Sequence, residues 1–455
     1  MTYITLRIQS LPSPIQALRN RIPTIRYNLP MRFTAGLVFL FLVLGPTVLA
    51  QNASQNAAKD APQSATVPMT LDQGRVVIDA DILRPDGSTE RVRAWVDNGN
   101  PDLYMSRRVA GLMGLRVICN GQLCSGTPPS QVAALEILIG GVKIFLNPMQ
   151  ETKVPSGTSA VAPGTNAEIN ISSTVLRNYD VLIDFPDRKI TIGLPGSLKF
   201  NGVKSKMLLN ASNGLIQIPS KIENKNYDLG LDLGSSIDFL SGELFDRLSN
   251  AHPGWPHLTG AIGPFNTGEG DEPKWKLMRV DRVQYGPLFL TDIAVAEIPK
   301  GQMPFFGERA TSAAGQLSSE ALLNYRIGLD YAHSTVYFDI GRTVKFPDFD
   351  VVGLVLRPEG DTGFTIVGVA DFDGKPSVPD VQEGDQLAAV DDTSIANLTL
   401  GQVWSLLEGS PGQERKLTVA RADKQFTVVA KVQHFLGDTQ PNDDAKRKPK
   451  KHSAQ

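Results

Sequence analysis

A chain of 455 residues, 41% hydrophobic and 20% charged, is long enough for several globular domains and too apolar to be disordered throughout. Its 45 basic residues nearly balance 47 acidic ones and no basic stripe crosses the body, so nucleic acid is not an expected partner. Two cysteines and five scattered histidines supply no recognisable ligand set, so neither a metal nor a cofactor is expected.

The first distinctive element is "MRFTAGLVFLFLVLGPTVLAQ", from Met31: one Arg, an apolar core from Ala35, then small and apolar residues up to Ala50. Residues 1–50 read as a leader and secretory signal peptide cut after Ala50. A single anchor is the rival reading, but the apolar run falls short of the roughly 20 residues that a span needs. The expected location is periplasmic or extracellular, with no stable membrane span after cleavage. Translation from Met1 and from Met31 both stay open. Residues 51–69 begin "QNASQNAAKDAPQSAT", polar and small, and read as a linker.

From 70 to 195, and again from 205 to 345, short runs of Val, Ile, Thr and Leu stand between glycines and prolines, which predicts mostly β structure. In "ICNGQLCSG", Cys119 and Cys124 bracket an Asn-Gly pair; in an exported chain this reads as a disulfide closing a small hairpin. The two segments share an order of events. "RAWVDNGNPDLYMS" runs an apolar strand into Asp97, Asn98 and Gly99; "YDLGLDLGSSIDFLS" runs another into Asp232, Leu233 and Gly234. Later, "ISSTVLRNYDVLID" aligns with "LSSEALLNYRIGLD", setting Ser172 against Ser318, Leu176 against Leu322 and Asp184 against Asp330. A single Asp-Asn-Gly is an ordinary turn. Two copies in one duplicated chain can pair about a pseudo-two-fold axis and bring Asp97 and Asp232 together. Carboxyls that close share one proton, and the ionised one can activate a water while the other donates to a carbonyl.

On these motifs residues 70–345 resemble the aspartic proteases, specifically the bacterial retropepsin-like type with two lobes in one chain. The resemblance implies two pseudo-symmetric β-barrel lobes, a peptide or protein substrate and a catalytic pair, Asp97 and Asp232. It makes Gly99 and Gly234 the tight-turn glycines beside that pair and gives Ser235 the task of orienting the second carboxylate. The family has Thr or Ser between Asp and Gly, where this chain has Asn98, which can still hydrogen-bond, and Leu233, which cannot. Ser172 and Ser318 stand where the family has glycine. Two glycine-rich stretches, "CNGQLCSGTPPS" and "TGAIGPFNTGEGDEP", read equally as covers over the cleft or as plain surface hairpins.

Residues 350–436 carry "VGLVLRPEGDTGFTIVGV", then "VQEGDQLAAVDDTSI" and a helix opened by Thr399. This module resembles a PDZ domain, smaller and α+β. The resemblance implies that Thr362, Gly363 and Phe364 hold the carboxylate of a protein C-terminus. An extended peptide would then lie between the "GFTIV" strand and the helix from Leu400 to Leu407. Two plainer readings stay open: Phe364 as core, and a groove plugged by the chain's own segments. Residues 437–455, polar and basic at the end, read as a disordered tail. The function expected is that of an exported aspartic endopeptidase with a peptide-binding module. The alternative is a catalytically impaired relative that binds peptide or serves as a scaffold.

Overall fold

The computed structural model describes residues 62–120, 123–127, 135–146, 152–156, 160–268, 271–298, 314–343, 348–360 and 363–439. The signal segment, the linker up to 61, Thr362 and the tail from 440 lie outside the described residues. The protein is mostly β. No helix among the described residues is long and apolar enough to cross a membrane.

The predicted linker gives way early to strand β1 (Ser64–Asp72), whose first half pairs with Lys189–Gly193 and whose second half pairs with β2 (Arg75–Leu83). Gln73 and Gly74 both take positive φ, which gives the two-residue hairpin turn that matches strand twist. β3 (Thr89–Asp97) follows against β2 and buries Val92, Ala94 and Val96 on alternate positions.

β3 then pairs in parallel with β4 (Ile169–Ser172), setting Asp97 opposite Ser172. The same arrangement recurs downstream. β5 (Lys225–Asp232) pairs in parallel with β6 (Gly315–Ser318), setting Asp232 opposite Ser318. Each serine leads into one helical turn, Ser173–Leu176 or Glu320–Leu322, and then into a strand, Asp180–Asp184 or Tyr325–Asp330. Those two strands pair antiparallel with Leu182 opposite Gly328. Outside them lie Lys189–Gly193 and Thr335–Ile340, and then β1 and Val203–Lys206. This part of the sheet reads the same from either end once the two repeats are exchanged.

The C-terminal module is a sheet in the order β7 (Leu354–Glu359), β8 (Gly363–Val369), Gln386–Val390, Glu414–Arg421, Lys424–Lys431. Its helix α1 (Leu400–Leu407) opens on Thr399 in a reciprocal cap with Gln402. The module's core is continuous with that of the second repeat. Leu354, Phe364, Leu400 and Trp404 belong to one apolar cluster with Ile237, Phe239, Phe265 and Leu277 of the second repeat.

One expectation is corrected here. β8 lies between β7 along its length and Gln386–Val390 at Phe364 and Thr365, so the edge available beside α1 is that of β7. Phe364 is buried core, and Gly363 pairs with Glu359 within the β7–β8 hairpin. The aromatic ring follows the apolar face of its strand rather than a loop.

Candidate active site

Strands β3 and β5 are buried on both faces near their ends, Val96 and Leu231 included, and each delivers an aspartate there. Asp97 is 2% exposed and Asp232 8%. Neither Asn98 nor Gly99 sits in the left-handed region, so Asp-Asn-Gly is not the positive-φ turn its composition suggests. The glycines are required by close approach instead. A Cβ on Gly99 would run into the carboxylate of Asp232. A Cβ on Gly234 would sit 2.7 Å from the Asp97 Cα and 2.9 Å from its Oδ1. The two loops therefore cross in contact, each glycine making room for the other loop's aspartate.

Asn98 fastens the crossing. Its Nδ2 donates to Leu231 O at 2.8 Å, and its Oδ1 accepts from the Leu233 N–H at 2.7 Å, so one carboxamide grips the backbone on both sides of Asp232. Trp95 Nε1 adds a bond to Gly234 O at 2.8 Å. The Leu233 side chain returns no hydrogen bond; it is buried in the core. The clasp is one-sided.

Each carboxylate has a carboxamide neighbour that the sequence reading missed. Gln316 Nε2 donates to Asp232 Oδ2 at 2.9 Å, and Asn170 favours the charged form of the Asp97 carboxyl. The two amides are equivalent by register, for Asn170 faces Trp95 and Gln316 faces Gly230, each two residues before the aspartate. Their common place, two residues before the aligned serines Ser172 and Ser318, was the available signal. Asn170 is itself held, accepting from the Tyr104 N–H at 2.7 Å and donating to Asp102 O at 2.9 Å.

The Gly234 N–H donates to Asp232 Oδ1 at 3.0 Å, and the Ser235 N–H also reaches that carboxylate. The hydroxyl of Ser235, expected to orient Asp232, instead accepts from the Ile237 N–H at 3.1 Å, a local turn bond. Asp97 Oδ2 has no hydrogen-bond partner among the described residues.

Burial pushes both carboxyls up from the ordinary range, and the neighbouring Asp232 charge pushes Asp97 well above it. Gln316, Gly234 and Ser235 all favour the charged form of Asp232. Both carboxyls are thus biased toward the protonated form, and a proton between them belongs to the pair rather than to either residue. The positive charge of Arg75 favours ionisation of both. Its guanidinium lies 6.0 Å from the Trp95 ring centroid and donates to Pro163 O at 3.0 Å and Thr267 O at 3.2 Å. Nothing in the local sequence marks Arg75, because the fold alone brings it there.

Cys119 and Cys124 face each other across the hairpin Arg116–Asn120/Leu123–Thr127 and are disulfide-bonded. Among the described residues no group of three or more His, Cys, Asp or Glu side chains is placed to hold a metal ion. No protein-family model matches the chain, and no curated protein matches it.

Proposed function

We propose that the chain is an exported aspartic-type endopeptidase of the retropepsin-like kind, two pseudo-symmetric lobes sharing one Asp97–Asp232 site. The observation that carries this reading is the reciprocal approach of the two loops, each glycine clearing space for the other's carboxyl. A lone turn aspartate has no need of that geometry, whereas a proton-sharing pair does.

In the reaction so proposed, Asp232 in its ionised form takes a proton from a water held between the carboxyls. The water oxygen attacks the carbonyl carbon of an extended peptide, and the proton on Asp97 passes to the carbonyl oxygen. The resulting diol collapses as a proton moves to the amide nitrogen, the C–N bond breaks, and the pair returns to one shared proton. No covalent intermediate forms. The C-terminal module is, on this reading, a PDZ-like adaptor that takes an extended peptide along the β7 edge beside α1.

A second reading is supported by Leu233: with the clasp fastened from one side only, the loops could hold a peptide yet catalyse poorly, since small misplacements of reacting groups are costly. Cleavage of a denatured protein from pH 3 to 7 separates the two. The protease reading expects turnover by the wild type and a fall of about 10²–10⁴-fold in Asp97→Asn and Asp232→Asn, the range that positioned acid–base groups contribute. Equal turnover by all three, or none by any, removes it.

A further inference from the structure

Residues 260–268 and 271–275 are tied to one another by backbone and side-chain bonds. The Gly260 N–H bonds Trp275 O at 2.8 Å, and the Ala261 N–H bonds Glu272 O at 2.9 Å. The buried Glu272 carboxylate collects the Thr267 N–H at 2.8 Å, the Thr267 hydroxyl at 2.6 Å and the Gly268 N–H at 3.2 Å. One face of this loop is seated in the C-terminal module. Asn266, fully buried, donates through Nδ2 to Leu356 O at 2.9 Å and accepts the Leu356 N–H on Oδ1 at 3.0 Å. Those are the two bonds that a neighbouring strand would make to the β7 edge. Trp404 Nε1, from α1, donates to the same Oδ1 at 3.1 Å, and Phe265 packs on Phe349 with ring centroids 5.5 Å apart.

The other face meets the β1–β2 turn beside the aspartates. Gln73 Nε2 donates to Gly263 O and, at 2.8 Å, to Asn266 O, while Arg75 donates to Thr267 O. Arg75 also holds Pro163 O, and the adjoining Gly164 O accepts the Leu400 N–H at 2.6 Å. Asp72, in the same turn, accepts the Gly401 N–H at 3.0 Å. Both segments that Arg75 grips are therefore tied to the C-terminal module, one through Leu356 and the other through Leu400. The two aspartates, which feel the Arg75 charge, are almost wholly covered.

We propose that residues 262–268 are an internal ligand of the groove between β7 and α1, through which the C-terminal module locks the approach to the Asp97–Asp232 pair. An extended peptide that takes the place of Asn266 releases the lock. The inference rests on reading that pair as the site of peptide hydrolysis, but the lock can be tested without turnover.

The experiment uses the full chain as wild type, Asn266→Ala and Trp404→Phe, the last removing the N–H while keeping an aromatic ring. A synthetic peptide with the sequence of residues 261–268, AIGPFNTG, is added to the wild type. Access to the pair is read by carbodiimide coupling of glycinamide to Asp97 and Asp232, mapped by mass spectrometry; loop release is read by hydrogen exchange. Asn266→Ala, and saturating peptide on the wild type, should speed both the labelling and the exchange over 261–268 at least tenfold, with Trp404→Phe between. Faster exchange with unchanged labelling, or unchanged exchange with peptide and variant alike, overturns the lock. Faster labelling in a set of proteins that never cleaves a substrate retains the lock and removes the protease reading instead.

Discussion

Gln316 donates to Asp232, and a donor to a carboxylate favours its charged form; Asn170 biases Asp97 in the same direction. Replacing Gln316 by Leu removes that donor while filling the space, so the pKa of Asp232 should rise further. The acidic limb of the pH–rate profile should move up with it. Carboxyl-carbon NMR of labelled aspartates tracks the titration directly, and an unchanged Asp232 titration would deny Gln316 this role. Asp238 offers a second residue-scale test. It lies buried beneath the second loop, accepts the Ser318 N–H, and burial pushes its carboxyl up to about 7. Between the usual carboxylate value and about 7 the folded state then holds a proton that the unfolded state has lost. Stability must therefore fall as pH rises through that window and level off above it. The loss is on the order of 4 kcal/mol at most. Asp238→Asn, neutral throughout, should flatten this part of the curve in urea melts at pH 4.5 and 8; an identical slope in both proteins would show that Asp238 does not titrate there.

At the scale of elements, the disulfide hairpin is the most local device. Cys119 and Cys124 stand opposite each other and close a loop with a sequence separation of only 5. By the chain-entropy account so short a loop is worth about 2 kcal/mol. Reduction should thus speed exchange within 116–127 strongly and lower Tm by only a few degrees; a collapse of Tm on reduction would mean that the hairpin supports far more than itself. What was legible in the sequence follows the same division between local and long-range. Strand periodicity, the two aspartates at strand ends, the cysteine hairpin and the Thr399 cap are written in neighbouring residues, and each is where its pattern puts it. The reasons behind Gly99 and Gly234, the carboxamides and Arg75 are contacts between distant segments, which no local pattern encodes. "DTGF" misled for a related reason. Its composition suits an exposed loop, whereas the ring of Phe364 belongs to the inner face of β8.

Across the whole molecule, the C-terminal module is bound to the second repeat by a common interior rather than by a linker. Phe265 and Phe349 pack with their rings tilted within it, and Trp404 donates to Asn266. Arg279 of the second repeat ion-pairs with Asp348 and donates to Leu436 O at 3.3 Å, so the far end of the module is tied down as well. A chain ending at residue 348 would uncover Ile237, Phe239, Phe265 and Leu277 together, and a contiguous apolar patch of that kind drives association. It would also strip Asn266 of its bonds to Leu356 and Trp404. Residues 62–348 expressed alone should accordingly be insoluble, or soluble only as aggregates in light scattering. Adding back residues 349–439 as a separate chain during refolding should recover a monomeric complex. A truncated chain that stays monomeric with the Tm of the full protein would show that the shared interior is a contact of convenience, and that the module docks as an independent unit.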